Sequence, residues 1–281
     1  MNINIKATVV IGIIIFLSSG CHQKDSNYYY LKGYGYYKNK KYELAVKCYI
    51  KALEINDQDA DIYFARAVTY DKVNEKESAI ADYTSSIKYD NKHAEAYYGR
   101  GVNYFKLKKY DKAIPDFEMA IKLDSTFYQC YFKLAEICRE KDNLDLSTKY
   151  LNKIIAIDSI NADAYSMRGE NFFNQQKYKK AVADLNIAIR LDPKNDYSYL
   201  VRSGAYAFLG NAKLAFQDIN KSIMINPKSS LSYLFRAGIY RRLLNNKEKT
   251  IADLKKSADL GSDDAKSTLK KFYKIDYKSV K

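Results

Sequence analysis

The chain has 281 residues, of which 47% are hydrophobic and 28% are charged, so it is long and apolar enough to bury a core. An aromatic content of 14%, with only 11 Gly and 3 Pro, excludes a disordered chain and favours a mostly helical one. With no Trp, two His and four Cys, the chain has few side chains for acid–base, nucleophilic or metal chemistry. We therefore expect no enzyme activity and predict no catalytic residue, cofactor or metal ion.

The formal net charge of +14 favours anionic partners. The excess is mainly lysine, because only 9 of the 47 basic residues are Arg. An AT-rich coding sequence also produces a lysine-rich composition, so the overall charge alone does not define a binding surface.

Residues 1–20 have the layout of a secretory signal peptide. Lys6 precedes an apolar run of eleven residues from Ala7 to Leu17, and three small residues follow at 18–20. Eleven residues span only about half of the roughly 20 that a transmembrane helix needs, so we do not expect a permanent membrane span.

The segment Leu-Ser-Ser-Gly-Cys at 17–21 resembles the lipobox of bacterial lipoproteins, with the leucine one place earlier than is usual. The resemblance implies that Cys21 is the lipidated first residue of the mature chain. It also implies a lipid-anchored tether at 21–27 and a place in the bacterial cell envelope, on an unspecified leaflet. Ser18 and Gly20 would also suit an ordinary signal peptidase acting at the same bond, which would leave no lipid.

Three cysteines remain beyond the signal segment: Cys48, Cys130 and Cys138. An odd number argues against a disulfide framework. Cys130 and Cys138 fall on one predicted helix, about 12 Å apart along its axis and beyond disulfide reach. We therefore predict buried free thiols.

From residue 26 onward the sequence repeats with a period of 34. In the third repeat, Tyr97, Gly101 and Tyr104 lie at i, i+4 and i+7, which predicts one amphipathic helix. Ala113 and Phe117 begin a similar stripe after a short polar turn, which predicts a second helix. Each repeat is thus interpreted as a helix pair.

Seven repeats follow from this period. Six keep the spacing without insertion, and the seventh gains one residue between Tyr240 and Thr250. The predicted repeats are 26–59, 60–93, 94–127, 128–161, 162–195, 196–229 and 230–264. A basic helix at 265–281, with Ala265, Leu269 and Phe272 on its packing face, is predicted to cap the stack.

The repeated aromatic, Gly, Tyr, Ala and Phe positions resemble the tetratricopeptide repeat (TPR). The resemblance implies an all-α fold, an α-solenoid in which seven helix pairs at 28–264 form a right-handed superhelix with a concave groove. Glycines such as Gly33 and Gly101 are then interpreted as helix-packing residues and not as a phosphate-binding loop.

Arginine and aspartate occur together in five repeats. The other two repeats have Lys32 with Cys48 and Leu134 with Tyr150 at the same places. Because losing one partner of a buried ion pair is costly, we predict structural pairs, with an anion-binding arginine ladder as the alternative. The predicted pairs are Arg66–Asp82, Arg100–Asp116, Arg168–Asp184, Arg202–Asp218 and Arg236–Asp253.

The TPR resemblance also implies which residues line the groove, namely those one, five and eight places after the conserved first-helix aromatic. The predicted partner-binding residues at these inner-face positions are Tyr30, Tyr34, Phe64, Tyr98, Phe105, Phe132 and Phe173. No three successive repeats supply the Lys and Asn set of a chaperone-binding carboxylate clamp, so a chaperone tail is not expected. The alternative is that part of this aromatic content packs between repeats.

Residues 228–281 carry 14 basic and 6 acidic side chains. Next to a membrane anchor, such a surplus favours anionic lipid head groups. Nucleic acid is an unlikely partner because of the export signal and the scarcity of arginine.

These features predict a membrane-anchored scaffold that binds a partner protein or peptide in its groove. The alternative is an exported glycan or solute binder in which aromatic residues such as Tyr98 and Phe132 face sugar rings.

The lipid anchor predicts that Cys21→Ser moves the protein from membranes to the soluble envelope fraction. Each buried acyl CH₂ contributes about 0.8 kcal/mol, whereas attraction of the basic surface to lipid is screened by salt. Fractionation in high salt with immunodetection measures the change. Membrane retention of the cleaved variant would contradict the anchor.

Overall fold

The computed structural model describes residues 25–277, in which fifteen α-helices and no β-strand are found. The predicted signal peptide and Cys21 lie outside the described residues. The described chain forms two compact units, one ending at Tyr89 and the other beginning at Asp90.

The first unit contains four helices, and the second contains eleven. The helices of the first unit are α1 Ser26–Lys38, α2 Tyr42–Ile55, α3 Ala60–Lys72 and α4 Lys76–Tyr89. Those of the second are α5 Ala94–Lys106, α6 Tyr110–Leu123, α7 Tyr128–Glu140, α8 Leu144–Ile157, α9 Ala162–Asn174, α10 Tyr178–Leu191, α11 Asp196–Phe208, α12 Ala212–Ile225, α13 Ser230–Leu244, α14 Lys247–Asp259 and α15 Asp263–Tyr273.

Within each unit, every odd-numbered helix up to α13 packs on the helix that follows it, and each such pair packs on the next. The described chain thus consists of consecutive helix pairs, as the 34-residue period predicts. The prediction of an all-α solenoid is confirmed. None of the described helices is long and apolar enough to span a membrane.

The turn inside each pair places one residue in the left-handed region. Six of these residues are spaced by 34: Lys40, Asn74, Lys108, Asp142, Gln176 and Gly210. The seventh is Asn245, with φ 48°, which is 35 residues later. The extra residue predicted between Tyr240 and Thr250 is therefore absorbed by α13, which has 15 residues where α11 has 13.

The two helices of a pair approach closely at one point, where a small residue faces a large one 16 places later. A Cβ atom added to Gly101 would lie 2.8 Å from a ring carbon of Phe117, and one added to Gly169 would lie 2.7 Å from Leu185 Cγ. Both large residues are fully buried. The small residue therefore sets the distance between the helices.

All five predicted Arg–Asp pairs are ion pairs in the structure. In each, arginine Nε and Nη2 donate to the two carboxylate oxygens over 2.7–2.9 Å. The aspartates are buried, and each guanidinium lies 5.4–5.7 Å from the ring centre of the tyrosine three residues earlier. The bidentate geometry fixes the register of the two helices.

Three of these arginines also reach the preceding repeat. Nη1 of Arg168 donates to Asn152 over 2.6 Å, and Nη1 of Arg202 donates to Asn186 over 2.7 Å. Nη1 of Arg236 makes the equivalent bond to Asn220 over 2.9 Å. The arginine thus links its own pair to the previous one, a role that does not require a bound anion.

The fourth repeat replaces the ion pair with apolar packing. Leu134 occupies the arginine position and is 2% exposed. Tyr150 occupies the aspartate position and packs on Tyr131 with ring centres 6.3 Å apart. In this repeat an apolar pair thus takes the place of the ion pair.

The ends of the array differ in detail from the sequence prediction. Helix α1 already begins at Ser26, so the last two residues of the predicted tether at 21–27 are helical. Helix α15 begins at Asp263, two residues before the predicted cap, and buries Ala265 and Leu269. Phe272 was predicted on the same packing face, but it is 58% exposed because it lies at the rim of a pocket.

The cysteines at 48, 130 and 138 are buried free thiols in the structure. Burial raises the pKa of the Cys130 thiol to about 12, and it also raises that of Cys138. These side chains behave as small apolar core residues.

The ion-pair geometry predicts different costs for one and two substitutions. Arg202→Leu leaves the buried Asp218 carboxylate without its partner and is expected to lower the free energy of unfolding by about 3–5 kcal/mol. Arg202→Leu with Asp218→Tyr reproduces the Leu134 and Tyr150 combination and is expected to recover most of that loss. Urea denaturation followed by circular dichroism measures both, and equal losses would contradict this account.

Candidate functional site

The inner-face positions of the second unit lie along two depressions. We call them the central depression, between α5 and α11, and the C-terminal pocket, between α9 and α15. The same pair contacts recur from repeat to repeat, and α11 packs on both α9 and α13, so residues at equivalent positions of successive first helices form one row.

The central depression has a volume of about 610 Å³. Its lining comes from α5, α7, α9 and the start of α11. The lining residues are Tyr98, Gln129, Phe132, Lys133, Glu136, Arg139, Asp163, Ser166, Met167, Glu170, Asn195 and Tyr197. Two of the predicted partner-binding residues, Tyr98 and Phe132, are thus brought together here.

Four charged groups of the central depression form two ion pairs, and the fifth, Asp163, is exposed at its edge. Lys133 Nζ lies 2.7 Å from Glu136, and Arg139 lies 2.5 Å from Glu170. The hydroxyl of Tyr197 also donates to Glu170 over 2.6 Å, and the pKa of this phenol is raised by burial and by the Glu170 carboxylate. Both cations are neutralised locally, so the depression offers aromatic surface and hydrogen-bonding groups, with the Asp163 carboxylate as its one charge outside an ion pair.

Tyr98 is less accessible than the sequence predicted. It is half-buried, and its ring lies 4.9 Å from that of Phe127 and 6.0 Å from that of the core residue Phe117. Burial raises its pKa to about 12. Tyr98 therefore supports the core and lines the depression at the same time.

The C-terminal pocket has a volume of about 470 Å³ and is more apolar. Its lining residues are Phe173, Gly204, Ala207, Phe208, Leu234, Phe235, Ala237, Gly238, Ile239, Arg241, Arg242, Thr250, Leu254, Thr268, Phe272 and Tyr273. Phe173 is the predicted partner-binding residue found here. A Cβ added to Gly204 would lie 3.1 Å from both Phe173 and Phe235, so this glycine lets the two rings meet.

The remaining predicted partner-binding residues line neither depression. Phe105 packs on Tyr110 at 5.6 Å between ring centres, with the Lys133 ammonium 4.9 Å from its own ring. In the first unit, Tyr30 and Tyr34 are half-buried. Phe64 is only 8% exposed and packs on Tyr83, so it is a core residue with little surface for a partner.

Sequence reasoning missed the residues in the first turn of each first helix. Gln129, Asp163 and Tyr197 each lie two places before the conserved tyrosine and line the central depression. Adding the position two places before the conserved tyrosine to the inner-face pattern would have found all three. Phe272 and Tyr273 come from the cap and had no equivalent in the repeat.

No group of His, Cys, Asp and Glu side chains within residues 25–277 is arranged to hold a metal ion. The ionisable groups of the two depressions are mostly engaged with each other or with aromatic rings.

Stacked helix pairs with a row of inner-face residues define a helical-repeat interaction protein. Family models described as tetratricopeptide repeat match residues 60–93, 94–127, 128–161 and 162–195, and one described as TPR repeat matches 33–74. The chain belongs to the tetratricopeptide repeat family. No curated protein matches the sequence significantly.

Solved structures show the same fold. YrrB, described as a TPR protein with an unusual peptide-binding site, is 26% identical with a TM-score of 0.57, over 66% of this chain and 95% of that one. The C-terminal part of a TPR protein from Cytophaga hutchinsonii is 20% identical with a TM-score of 0.67, over 85% and 99%. A tetratricopeptide repeat protein from Parabacteroides merdae is 18% identical with a TM-score of 0.66, over 87% and 97%.

The double role of Tyr98 predicts that it is a poor probe of binding. Tyr98→Ala is expected to lower the free energy of unfolding by about 3 kcal/mol, because truncating a buried aromatic ring leaves a cavity. Tyr98→Phe keeps the ring and serves as the control, with an expected loss below about 1.5 kcal/mol. Urea denaturation measures both, and a harmless Tyr98→Ala would show that the ring is not part of the core.

Proposed function

We propose that the protein is a membrane-anchored scaffold that binds an extended, apolar-rich segment of a partner protein along the inner face of residues 90–277. The tetratricopeptide fold is that of a protein interaction scaffold. The observation that carries the finer proposal is the row of two depressions along the inner-face positions.

Helix α9 supports binding of one continuous segment, because it contributes to both depressions. Glu170 lines the central depression, and Phe173 lines the C-terminal pocket. These residues are three apart, which is about 4.5 Å along a helix. An extended chain, which advances about 3.3 Å per residue, passes from one to the other in two residues. The peptide-binding site named for YrrB is in line with such a ligand.

The two ion pairs of the central depression support an apolar-rich ligand. Arg139 and Glu170 already satisfy each other, so a peptide gains little by presenting a charge there. It gains more by covering the half-buried rings of Tyr98 and Phe132, since burial of apolar surface contributes about 25 cal/mol per Å².

The membrane anchor rests on the signal segment and Cys21. Two or three acyl chains would hold the scaffold on a membrane, so a bound partner would be kept at the envelope. At the other end of the chain, Lys270 and Lys271 of α15 are exposed and could add attraction to anionic head groups.

Affinity purification of the anchored form from envelope extract tests the proposal. Phe132→Ala is expected to weaken recovery of the partner about tenfold or more, corresponding to a loss of about 1.4 kcal/mol or more in binding. Met224→Ala, an exposed apolar side chain on the second helix α12, is the matched control and should leave recovery unchanged.

Equal recovery with both variants would contradict inner-face binding. Specific binding to a glycan array, with no protein retained, would contradict the scaffold and favour the glycan-binding alternative.

A further inference from the structure

The C-terminal pocket contains two arginines without a carboxylate partner. Arg241 and Arg242 are exposed, and no Asp or Glu within residues 25–277 forms an ion pair with either. No acidic residue lines the pocket. This differs from the central depression, where Arg139 is paired with Glu170.

Each of these arginines lies over an exposed aromatic ring. The Arg242 guanidinium is 4.2 Å from the ring centre of Phe208, and that of Arg241 is 5.9 Å from the ring centre of Phe272. The two rings are 43% and 58% exposed. Apolar surface and uncompensated positive charge are therefore presented side by side at one opening.

Space for a ligand side chain is present next to the arginines. A Cβ added to Gly238 would meet nothing within 4 Å, although this residue lines the pocket. Gly238 lies on α13 one turn before Arg241 and Arg242. A ligand side chain that lies over Gly238 would bring the ligand backbone and the adjacent ligand residues within reach of both guanidinium groups.

We propose that the C-terminal pocket binds an apolar side chain flanked by carboxylates, so that the extended partner segment is acidic at the end that lies against α13 and α15. This rests on the proposed function, since it assigns a chemical class to one end of the same ligand. Arginine pairs with carboxylates in bidentate geometry, and an apolar surround strengthens such pairs. The passage along α9 into the central depression favours a peptide over a single fatty acid, which would occupy the pocket alone.

Selection from a random octapeptide display library on the full-length Cys21→Ser protein tests this inference. With Arg241 and Arg242 intact, this protein is expected to enrich peptides that combine large apolar residues with Asp or Glu. Arg241→Glu with Arg242→Glu should weaken the enriched peptides about tenfold or more and shift a new selection toward Lys and Arg. Both side chains are exposed, and unchanged circular dichroism would show that the helices remain intact.

A second variant tests the pocket without changing charge. Gly238→Trp fills the open space and is expected to weaken the same peptides about tenfold or more. Gly35→Trp is the matched control, because a Cβ at this helical glycine in the first unit also meets nothing within 4 Å. It should leave peptide affinity unchanged.

The possible failures are distinguishable. Enriched peptides without acidic residues, or acidic peptides that are insensitive to the changes at 238, 241 and 242 but are lost with Phe132→Ala, would overturn this inference and leave the proposed function intact. Failure to enrich any peptide would count against both. Decanoate binding that depends on Arg241 and Arg242, with no acidic peptide bound, would assign the pocket to a fatty acid and overturn the inference.

Discussion

The close approach of the two helices in each repeat is the constraint on which the rest of the structure depends. A small side chain at one place, such as Gly33 or Gly101, allows a ring 16 residues later to pack directly on the helix backbone. This contact determines which residues face each other across the pair. The buried ion pair between the adjacent positions then excludes a shift in register, because a slipped helix would leave an aspartate buried without its arginine.

The same constraint determines which surface of a first helix is left outside the pair contacts. In the five repeats with the ion pair, the small residue and the arginine commit one side of the first helix to its own pair, and three of the arginines also contact the preceding repeat. The other side carries residues that have no fixed partner in the repeat pattern, and these line the two depressions. Their chemistry can therefore vary from repeat to repeat, which is why the paired charges around Arg139 and the unpaired Arg241 occur within one array.

Much of this architecture could be predicted from the sequence, because each helix pair depends on contacts within 34 residues. The period predicted the helices, and the joint occurrence of Arg202 and Asp218 predicted their contact. The site was less predictable, because a residue at an inner-face position can also pack within its own pair: Phe64 lies against Tyr83 of the same repeat and is buried. Phe272 could not be placed either, since the cap follows no repeat and its ring lies at a rim that only the fold creates.

The link from three of the arginines to the asparagine 16 residues earlier has a consequence for how such a protein changes in length. Asn152, Asn186 and Asn220 occupy equivalent places, and so do the arginines that they accept from. A duplication or loss of a whole 34-residue block from this region would join an existing asparagine to an existing arginine, with no new interface to evolve. Gene rearrangement can therefore lengthen or shorten the row of inner-face residues in whole blocks, while any other step size would break the junction.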